Sequence, residues 1–214
     1  MSSLYFNISI EGTIGVGKTS LANLISNKLK AKLILEKFEE NPFLKDFYNN
    51  QDRFAFQTQL FFLLSRYSQH QELKQVDIFS KIILSDYMFI KDRLFACLNL
   101  NDREMVLYDS IAKILEKDII YPDLAIFLQA DTDTLMTNIK KRGREYESSI
   151  DADYIDSLNQ VYNEYFFRYD KGPLLIINTN DIDFVNNEED LNGIMNFLKE
   201  PIKGRKYYNP TKLF

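Results

Sequence analysis

The sequence has one cysteine, one histidine and no tryptophan among its 214 residues. Because Cys97 has no partner cysteine in the chain, a disulfide within the chain and a cysteine-rich metal site are both excluded. The single histidine, His70, likewise excludes a metal site built on several histidines. Cys97 lies in the apolar run 94–98, which predicts a buried, unreactive thiol. The polar neighbours of His70 predict a position at the surface.

Long apolar runs are also missing, and the charge is acidic. The run at residues 60–64 is far too short to span a bilayer, and residues 1–4 lack the basic region and apolar core of a secretory signal. The formal net charge of −5 argues against a nucleic-acid-binding protein, which needs a basic face. We therefore expect a cytoplasmic protein that has neither a membrane nor a nucleic acid as its partner.

The composition that remains is that of a globular protein. Hydrophobic residues make up 45% of the chain and aromatic residues 14%. The length suits one sizeable core and is short for two ordinary domains. With no repeat and no Gly/Ser linker, the sequence predicts a single domain over residues 1–214, with a short surface tail from about residue 203.

The strongest motif lies near the start, directly after the alternating apolar segment 5–11. It reads Gly12-Thr13-Ile14-Gly15-Val16-Gly17-Lys18-Thr19 and continues with Ser20. Glycines at this spacing let backbone N–H groups surround an anion, the lysine supplies charge for the terminal phosphates, and the threonine hydroxyl suits Mg²⁺. Residues 21–29 are apolar at helical spacing, so the loop leads into a helix N-terminus, which favours phosphate. The motif predicts a site for a nucleoside triphosphate.

Five short apolar segments predict the strands of a sheet. They lie at residues 5–11, 32–36, 82–86, 124–128 and 174–178, and helical segments are predicted at 53–73, 103–118, 132–142 and 152–167. Alternating strands and helices predict an α/β fold, in which a five-stranded parallel sheet is flanked by helices. Ligands bind beyond the carboxyl ends of such strands, so the carboxylates that follow them are candidates for chemistry.

Two of these carboxylates are Glu36 and Asp86. Glu36 would face the phosphate loop and accept or orient the proton of an attacking hydroxyl, and a solvated charge at a loop entrance is the alternative. Asp86 would complete the Mg²⁺ shell opposite the Thr19 hydroxyl, although aspartate also suits the N-cap of a following helix. The two carboxylates can exchange the roles of base and metal partner, and the sequence does not separate them.

A third group of polar residues belongs to the predicted helix 53–73. Gln59 and Arg66 are seven residues apart and project from nearly the same face. A glutamine amide matches a base edge that carries an amine beside a ring nitrogen, and Asp92 is a candidate carboxylate partner for the Arg66 guanidinium. The alternative is that both are ordinary polar positions of an amphipathic helix.

Basic residues crowd the end of the predicted helix 132–142. A cap formed by Gly143 with cations in the last turn is one interpretation. The other is a mobile lid whose guanidinium groups, from Arg142 and Arg144, clamp a transferring phosphoryl group. Four basic side chains in five residues exceed what a cap requires, and this density favours the lid. Glu147 follows on the same segment.

Together these residues resemble the deoxynucleoside kinases of the deoxycytidine/deoxyguanosine kinase type, and most of all the bacterial deoxyadenosine/deoxyguanosine kinases. The likeness runs from residue 8 to about residue 184, with the motifs in the order of the family. It implies ATP-dependent phosphorylation of the 5′-hydroxyl of a purine deoxynucleoside in nucleotide salvage, with Mg²⁺ as cofactor and a homodimer as the assembly.

The resemblance also implies a role for each matching residue. Glu36 would activate the 5′-hydroxyl, while Lys18, Arg142 and Arg144 would stabilise the transferring group. Nucleoside contacts would come from Tyr48 and Glu147 at the sugar 3′-hydroxyl and from Gln59, Arg66 and Asp92 at the base. Asp183 and Phe184 would border the adenine of ATP.

One position departs from the family pattern, which commonly has an arginine directly after the acid of the third strand. Tyr87 follows Asp86 here, so that positive charge must come from elsewhere or be unnecessary. Two other readings stay open. A nucleoside monophosphate kinase of the thymidylate kinase type shares the fold, and the segment 178–181 faintly resembles a guanine-reading motif of GTP-binding switch proteins.

Overall fold

The computed structural model describes residues 4–74 and 82–210, so the ends of the predicted domain, residues 1–3 and 211–214, lie outside the described residues. The described part forms one sheet of six parallel strands in the order β2-β3-β1-β4-β5-β6. The strands are β1 Asn7–Gly12, β2 Lys32–Ile34, β3 Ile83–Ser85, β4 Leu124–Gln129, β5 Leu174–Asn178 and β6 Arg205–Tyr208. The predicted α/β class with a parallel sheet is confirmed.

Eight α-helices of the described chain surround this sheet. They are α1 Lys18–Leu29, α2 Leu44–Asn49, α3 Gln51–Lys74, α4 Lys91–Asn99, α5 Asp102–Leu115, α6 Thr132–Arg142, α7 Ala152–Phe167 and α8 Glu188–Phe197. Local caps set several of the ends: Asn101 and Glu104 form a capping box before α5. Gly143 ends α6 in the left-handed conformation, with φ of 65°. None of these helices is both long and apolar enough to cross a membrane.

The core lies on both faces of the sheet, which explains why the strands are continuously apolar. Ile8 and Ile10 of β1 are fully buried against the layer that contains α1 and α6. On the opposite face, Phe127 of β4 stacks on Phe166 of α7 with ring centroids 4.2 Å apart. Strands covered on both faces need no polar alternation, and the central strand therefore holds the phosphate loop on a rigid base.

The sixth strand corrects the sequence prediction of five strands and a surface tail. Arg205–Tyr208 pairs with β5 in parallel, and the Tyr208 ring lies 5.1 Å from the ring of Phe197 on α8. A Cβ atom on Gly193 would lie 2.2 Å from the Tyr208 hydroxyl oxygen, so this glycine makes room for the tyrosine. The predicted tail is therefore the edge strand of the sheet, at least as far as Tyr208.

Helices α6 and α7 and strand β5 match their predicted bounds, whereas α4 and α8 were not predicted. The unpredicted helix α4 places Cys97 on its outer face, so the predicted burial of this thiol is wrong. His70 is half-buried rather than at the open surface, and its Nε2 accepts a hydrogen bond from the backbone N–H of Ile120 at 2.9 Å.

Candidate active site

The phosphate loop joins β1 to α1 and is tied to its neighbours by side-chain hydrogen bonds. Asn138 of α6 donates to the carbonyl of Gly15 at 2.9 Å, and the Thr13 hydroxyl donates to Asn159 of α7 at 2.9 Å. Gly15 and Gly17 have φ of 89° and 98°, a region in which a side chain is strained. The loop therefore holds its shape through residues that lie outside the motif.

Lys18 lies beneath this loop and donates to its backbone. Its Nζ is 2.8 Å from the carbonyl oxygen of Gly12 and 3.0 Å from that of Thr13. Burial, followed by the nearby ammonium of Lys91, lowers the pKa of Lys18 to about 8. The group is therefore still largely protonated at neutral pH. Of the other loop residues, Ile14 lines the adjoining cavity, Val16 is buried and Ser20 is exposed on the first turn of α1.

The carboxyl ends of β2 and β3 bring Glu36, Asp86 and Thr19 together, as the sequence predicts. The Thr19 hydroxyl donates to Asp86 Oδ2 at 2.5 Å, and the backbone N–H of Glu36 donates to Asp86 Oδ1 at 2.8 Å. Helix α4 begins at Lys91, so Asp86 is not its N-cap. The alternative reading of Asp86 as a cap is thereby excluded.

The Thr19 hydroxyl oxygen and the Asp86 carboxylate are a donor set that suits Mg²⁺. The described residues hold no cluster of three or more histidine, cysteine, aspartate or glutamate side chains that would cage a metal. Mg²⁺ commonly binds through one or two protein oxygens and completes its octahedron with water and substrate phosphates. Thr19 and Asp86, beside a phosphate loop, match that donor set.

Glu36 lies between two cations. Its Oε1 contacts Arg66 Nη2 in a buried ion pair, and its Oε2 is 2.5 Å from Lys91 Nζ. Burial opposes ionisation of Glu36, but the positive charges of Arg66 and Lys91 outweigh it and lower the pKa to about 2. Glu36 is therefore fully ionised at neutral pH, and the reading of it as a solvated loop charge is wrong.

Arg66 also contacts Asp92 Oδ1 through Nη1, so the predicted partner is confirmed. Asp92 is 1% exposed and Gln59 is 1% exposed, which places both deep in the pocket rather than on a solvated helix face. The Gln59 side-chain oxygen is buried and has no hydrogen-bond partner in the described chain. An unpaired buried acceptor is costly, and Gln59 lines a cavity from which a ligand donor would satisfy it.

The segment after α6 covers the other side of the cavity. Arg142 binds the Glu147 carboxylate through Nε at 3.0 Å and Nη2 at 2.7 Å, and Arg144 Nη1 adds a contact at 3.3 Å. Arg144 also stacks over the ring of Phe38 at 4.1 Å. The Tyr48 ring packs 6.0 Å from that of Tyr146. The basic cluster therefore forms a cover over the cavity in addition to the cap at Gly143.

One cavity of about 770 Å³, its open mouth included, connects most of these groups. Its wall contains the predicted residues Ile14, Lys18, Thr19, Glu36, Tyr48, Gln59, Arg66, Asp86, Asp92, Arg142, Arg144 and Glu147. Asp183 and Phe184 are not among its lining residues. A Cβ atom added to Gly17 would lie 3.0 Å from the Phe184 ring. The loop that contains Asp183 and Phe184 therefore borders the phosphate loop from outside the cavity.

Two acidic or basic groups of the site were missed by the sequence reasoning. Lys91 belongs to α4, a helix for which the sequence analysis predicted no range. The one signal in the sequence for another cation was the missing arginine after Asp86. Glu11 of β1 is fully buried and accepts hydrogen bonds from the backbone N–H groups of Gly12 and Met88 at 2.9 and 2.8 Å. Burial raises its pKa, and its bonds join the phosphate loop to the segment after β3.

Comparison with known proteins agrees with this geometry. The model of the deoxynucleoside kinase family matches residues 8–203. A deoxyguanosine kinase of Bacillus subtilis is 34% identical over 91% of this chain and 97% of its own length. A deoxyadenosine kinase of Lactobacillus acidophilus is 30% identical over 92% of this chain and 93% of its own length.

The solved structures lead to the same family. The structure of deoxyadenosine kinase from M. mycoides with bound dATP superposes with a TM-score of 0.77 and is 26% identical. The match covers 91% of this chain and 100% of that one. The resemblance that was read from the motifs is confirmed, and with it the reaction type of a phosphotransferase. This chain belongs to the deoxynucleoside kinase family.

Proposed function

We propose that this chain transfers the γ-phosphoryl group of ATP to the 5′-hydroxyl of a purine deoxynucleoside in nucleotide salvage. The observation that carries the proposal is the position of Glu36, between the phosphate loop and the buried polar pocket of Gln59, Arg66 and Asp92. Relatives that are named for deoxyguanosine and deoxyadenosine support a purine. The family match favours a nucleoside over a nucleoside monophosphate as acceptor.

The base would bind at the end of the cavity that Gln59 lines. The exocyclic amine of adenine would donate to the unpaired Gln59 oxygen, and ring nitrogens would accept from donors of Gln59 or Arg66. Guanine has an oxo group and an amine, which the mixed donors and acceptors of this pocket also suit. Thymine lacks an exocyclic amine, so only its ring N3–H could donate to the buried Gln59 oxygen.

The sugar would lie between the base pocket and the phosphate loop. Tyr48 and Glu147, which line the same wall, are the candidate partners of the 3′-hydroxyl. The 5′-hydroxyl would donate to Glu36. As the bond between the 5′ oxygen and the γ-phosphorus forms, the bond from that phosphorus to the bridging oxygen breaks, ADP leaves, and the hydroxyl proton passes to Glu36.

A carboxylate with a pKa of about 2 accepts a proton weakly. In a loose transition state, however, positioning and charge neutralisation supply most of the rate. Glu36 therefore acts first by orienting the hydroxyl. The loop N–H groups, Lys18, Arg142 and Arg144 would bind the phosphate oxygens. Mg²⁺, held by Thr19 and Asp86, would neutralise further charge on those oxygens.

A coupled ATP-consumption assay with each of the four deoxynucleosides tests this function. We expect turnover with deoxyadenosine or deoxyguanosine, and a loss of about 100-fold or more in kcat for Glu36→Gln with a smaller change in nucleoside affinity. Glu40→Gln is the matched control, because Glu40 is exposed and forms an ion pair with Lys37 at the surface. A strong preference for thymidine would refute the assignment of a purine. Near-normal turnover in Glu36→Gln would refute the role of Glu36.

The proposal also includes the assembly and the location: the chain acts as a homodimer, in the cytoplasm, where ATP is supplied. Helices α3 and α5 expose Leu64, Val106, Leu107 and Ile114, with 48%, 67%, 58% and 67% of each residue accessible. Side chains seven and eight positions apart lie on one face of α5, so Val106, Leu107 and Ile114 form an apolar stripe that a second copy would cover. Light scattering should give twice the chain mass, and Val106→Glu with Ile114→Glu should give the single chain. A monomeric wild-type protein at micromolar concentration would contradict the dimer.

A further inference from the structure

A lysine that no sequence motif identifies lies against the Glu36 carboxylate. Lys91 opens α4 and is 8% exposed, and its Nζ is 2.5 Å from Glu36 Oε2. Arg66 divides its guanidinium between Glu36 and Asp92. Among the ion pairs of the described residues, by contrast, Lys91 has Glu36 as its one partner. Glu36 is therefore the carboxylate that the Lys91 ammonium contacts directly.

The position of Lys91 is fixed by backbone contacts that do not involve Glu36. The buried carboxylate of Glu11 accepts from the backbone N–H of Met88 at 2.8 Å, and the N–H of Lys91 donates to the carbonyl of Met88 at 3.1 Å. The ammonium also lies 5.9 Å from the ring centroid of Phe95, one turn further along α4. Lys91 is thus held at the cavity wall by the segment that follows β3.

Lys91 faces the place where phosphate and acceptor would meet. It lines the same cavity as Lys18 and Thr19, and it is close enough to Lys18 that, after burial, it is the largest cause lowering the Lys18 pKa. Two ammonium groups directed at one space repel each other unless anions occupy it. Glu36 supplies one of these anions, and phosphate oxygens would supply the others.

The residue directly after Asp86 does not provide this charge. Tyr87 is 5% exposed and lines a second cavity, together with His70 and Tyr121, rather than the cavity that contains Glu36. The chain therefore brings a cation to Glu36 from a position four residues further on, at the first residue of α4.

We propose that Lys91 is a positioning residue for phosphoryl transfer, which holds the Glu36 carboxylate turned towards the acceptor hydroxyl. This inference rests on the proposed function. Lys91 takes up no proton and forms no bond in the reaction. Its ammonium orients Glu36 through the ion pair and remains charged while the hydroxyl proton passes to Glu36 and ADP leaves.

The test compares Lys91→Met and Lys91→Arg with the wild-type enzyme at saturating ATP, using the deoxynucleoside that it phosphorylates best. Lys91→Met should lower kcat by about 100-fold, as the loss of one preorganised charged donor does, with both KM values changed by less than about threefold. Lys91→Arg should restore most of kcat, because it keeps the charge.

Lys28→Met is the matched control, because Lys28 also pairs with a glutamate, Glu188, but at the surface and at 3.3 Å. It should keep wild-type kcat. Thermal unfolding checks each variant, and Lys91→Gln carries the same test if Lys91→Met loses its cooperative transition. Wild-type kcat in Lys91→Met would overturn this inference but not the proposed function, as would a loss of kcat that Lys91→Arg fails to restore. A wild-type chain that phosphorylates no deoxynucleoside overturns the proposed function, and this inference with it.

Discussion

Arg66 forms one buried ion pair with Glu36 and a second with Asp92. A single guanidinium therefore connects the carboxylate that we assign to the acceptor hydroxyl with the pocket that we assign to the base. Any movement of Arg66 towards a base edge would weaken its hold on Glu36 and leave Lys91 as the main counter-charge. Base recognition and activation of the hydroxyl are thus expected to depend on each other.

The first prediction concerns the stability of this buried pair. Arg66→Met leaves Asp92 buried without its partner and should lower the free energy of unfolding by about 3 kcal/mol. Arg66→Met combined with Asp92→Asn removes the stranded charge, and should be more stable than the Arg66→Met variant by about 1 kcal/mol or more. Urea denaturation of the wild-type chain, both single variants and the double variant measures this coupling. Additive losses would show that the pair contributes nothing as a unit.

The second prediction concerns acid stability. The pKa of Glu36 is about 2 in the folded chain, whereas the ordinary pKa of a glutamate, which applies to the unfolded chain, is 4.5. The ion pairs of Glu36 therefore contribute fully above the higher value, and their contribution of about 3 kcal/mol is lost as the pH falls from about 5 towards 2. Glu36→Gln has no such contribution. The difference in unfolding free energy between wild type and Glu36→Gln should shrink as the pH falls over this range, and parallel curves would contradict the assignment.

The third prediction uses two glycines with positive φ. Gly17 has φ of 98°, and an added Cβ would lie 3.0 Å from Phe184, whereas Gly204 has φ of 66° and open space around it. Gly204→Ala should cost about 1 kcal/mol of backbone strain. Gly17→Ala should cost more than this, and it should lose part of the excess when Phe184→Leu is added. Thermal unfolding of Gly204→Ala, Gly17→Ala, Phe184→Leu and the Gly17→Ala/Phe184→Leu double variant decides. Equal losses at both glycines would show that Phe184 does not crowd Gly17.

The fourth prediction concerns the docking of the sixth strand. Replacing a helical glycine by alanine ordinarily stabilises a protein by about 1 kcal/mol. At Gly193 the added Cβ would lie 2.2 Å from the Tyr208 hydroxyl oxygen and 3.1 Å from the ring carbon that carries it. Gly193→Ala should therefore destabilise the wild-type chain, and less so in a Tyr208→Phe background, where the oxygen is gone. If Gly193→Ala stabilised the wild-type chain, the Tyr208 hydroxyl would not lie against Gly193.

The sequence predicted the parts of the fold that carry a strong local signal. The continuous apolar run of β5 and the capped segment of α6 matched their predicted bounds, because burial on both faces and a glycine C-cap leave clear patterns. Strand β6 has no such run. Its residues Arg205 and Lys206 are polar, as suits an edge strand. Its docking also depends on the space that Gly193, on α8, leaves for Tyr208.

The candidate site was predictable where a residue type and a strand end coincided. The side chains of Thr19, Asp86 and Glu36 lie together as the rule for parallel sheets requires. The partner of Arg66 was also predicted. Lys91 was not predictable in this way, because its role depends on the direction in which α4 leaves the sheet, and that direction is set by the buried Glu11 contact to Met88.

The contact of Lys18 with the carbonyl oxygens of Gly12 and Thr13 has a consequence for nucleotide affinity. A triphosphate that binds here meets a loop that is already ordered. Its oxygens replace the two backbone carbonyl oxygens as hydrogen-bond partners of the Lys18 ammonium. Little conformational freedom is then surrendered on association, so more of the attraction between cation and phosphate is retained as affinity.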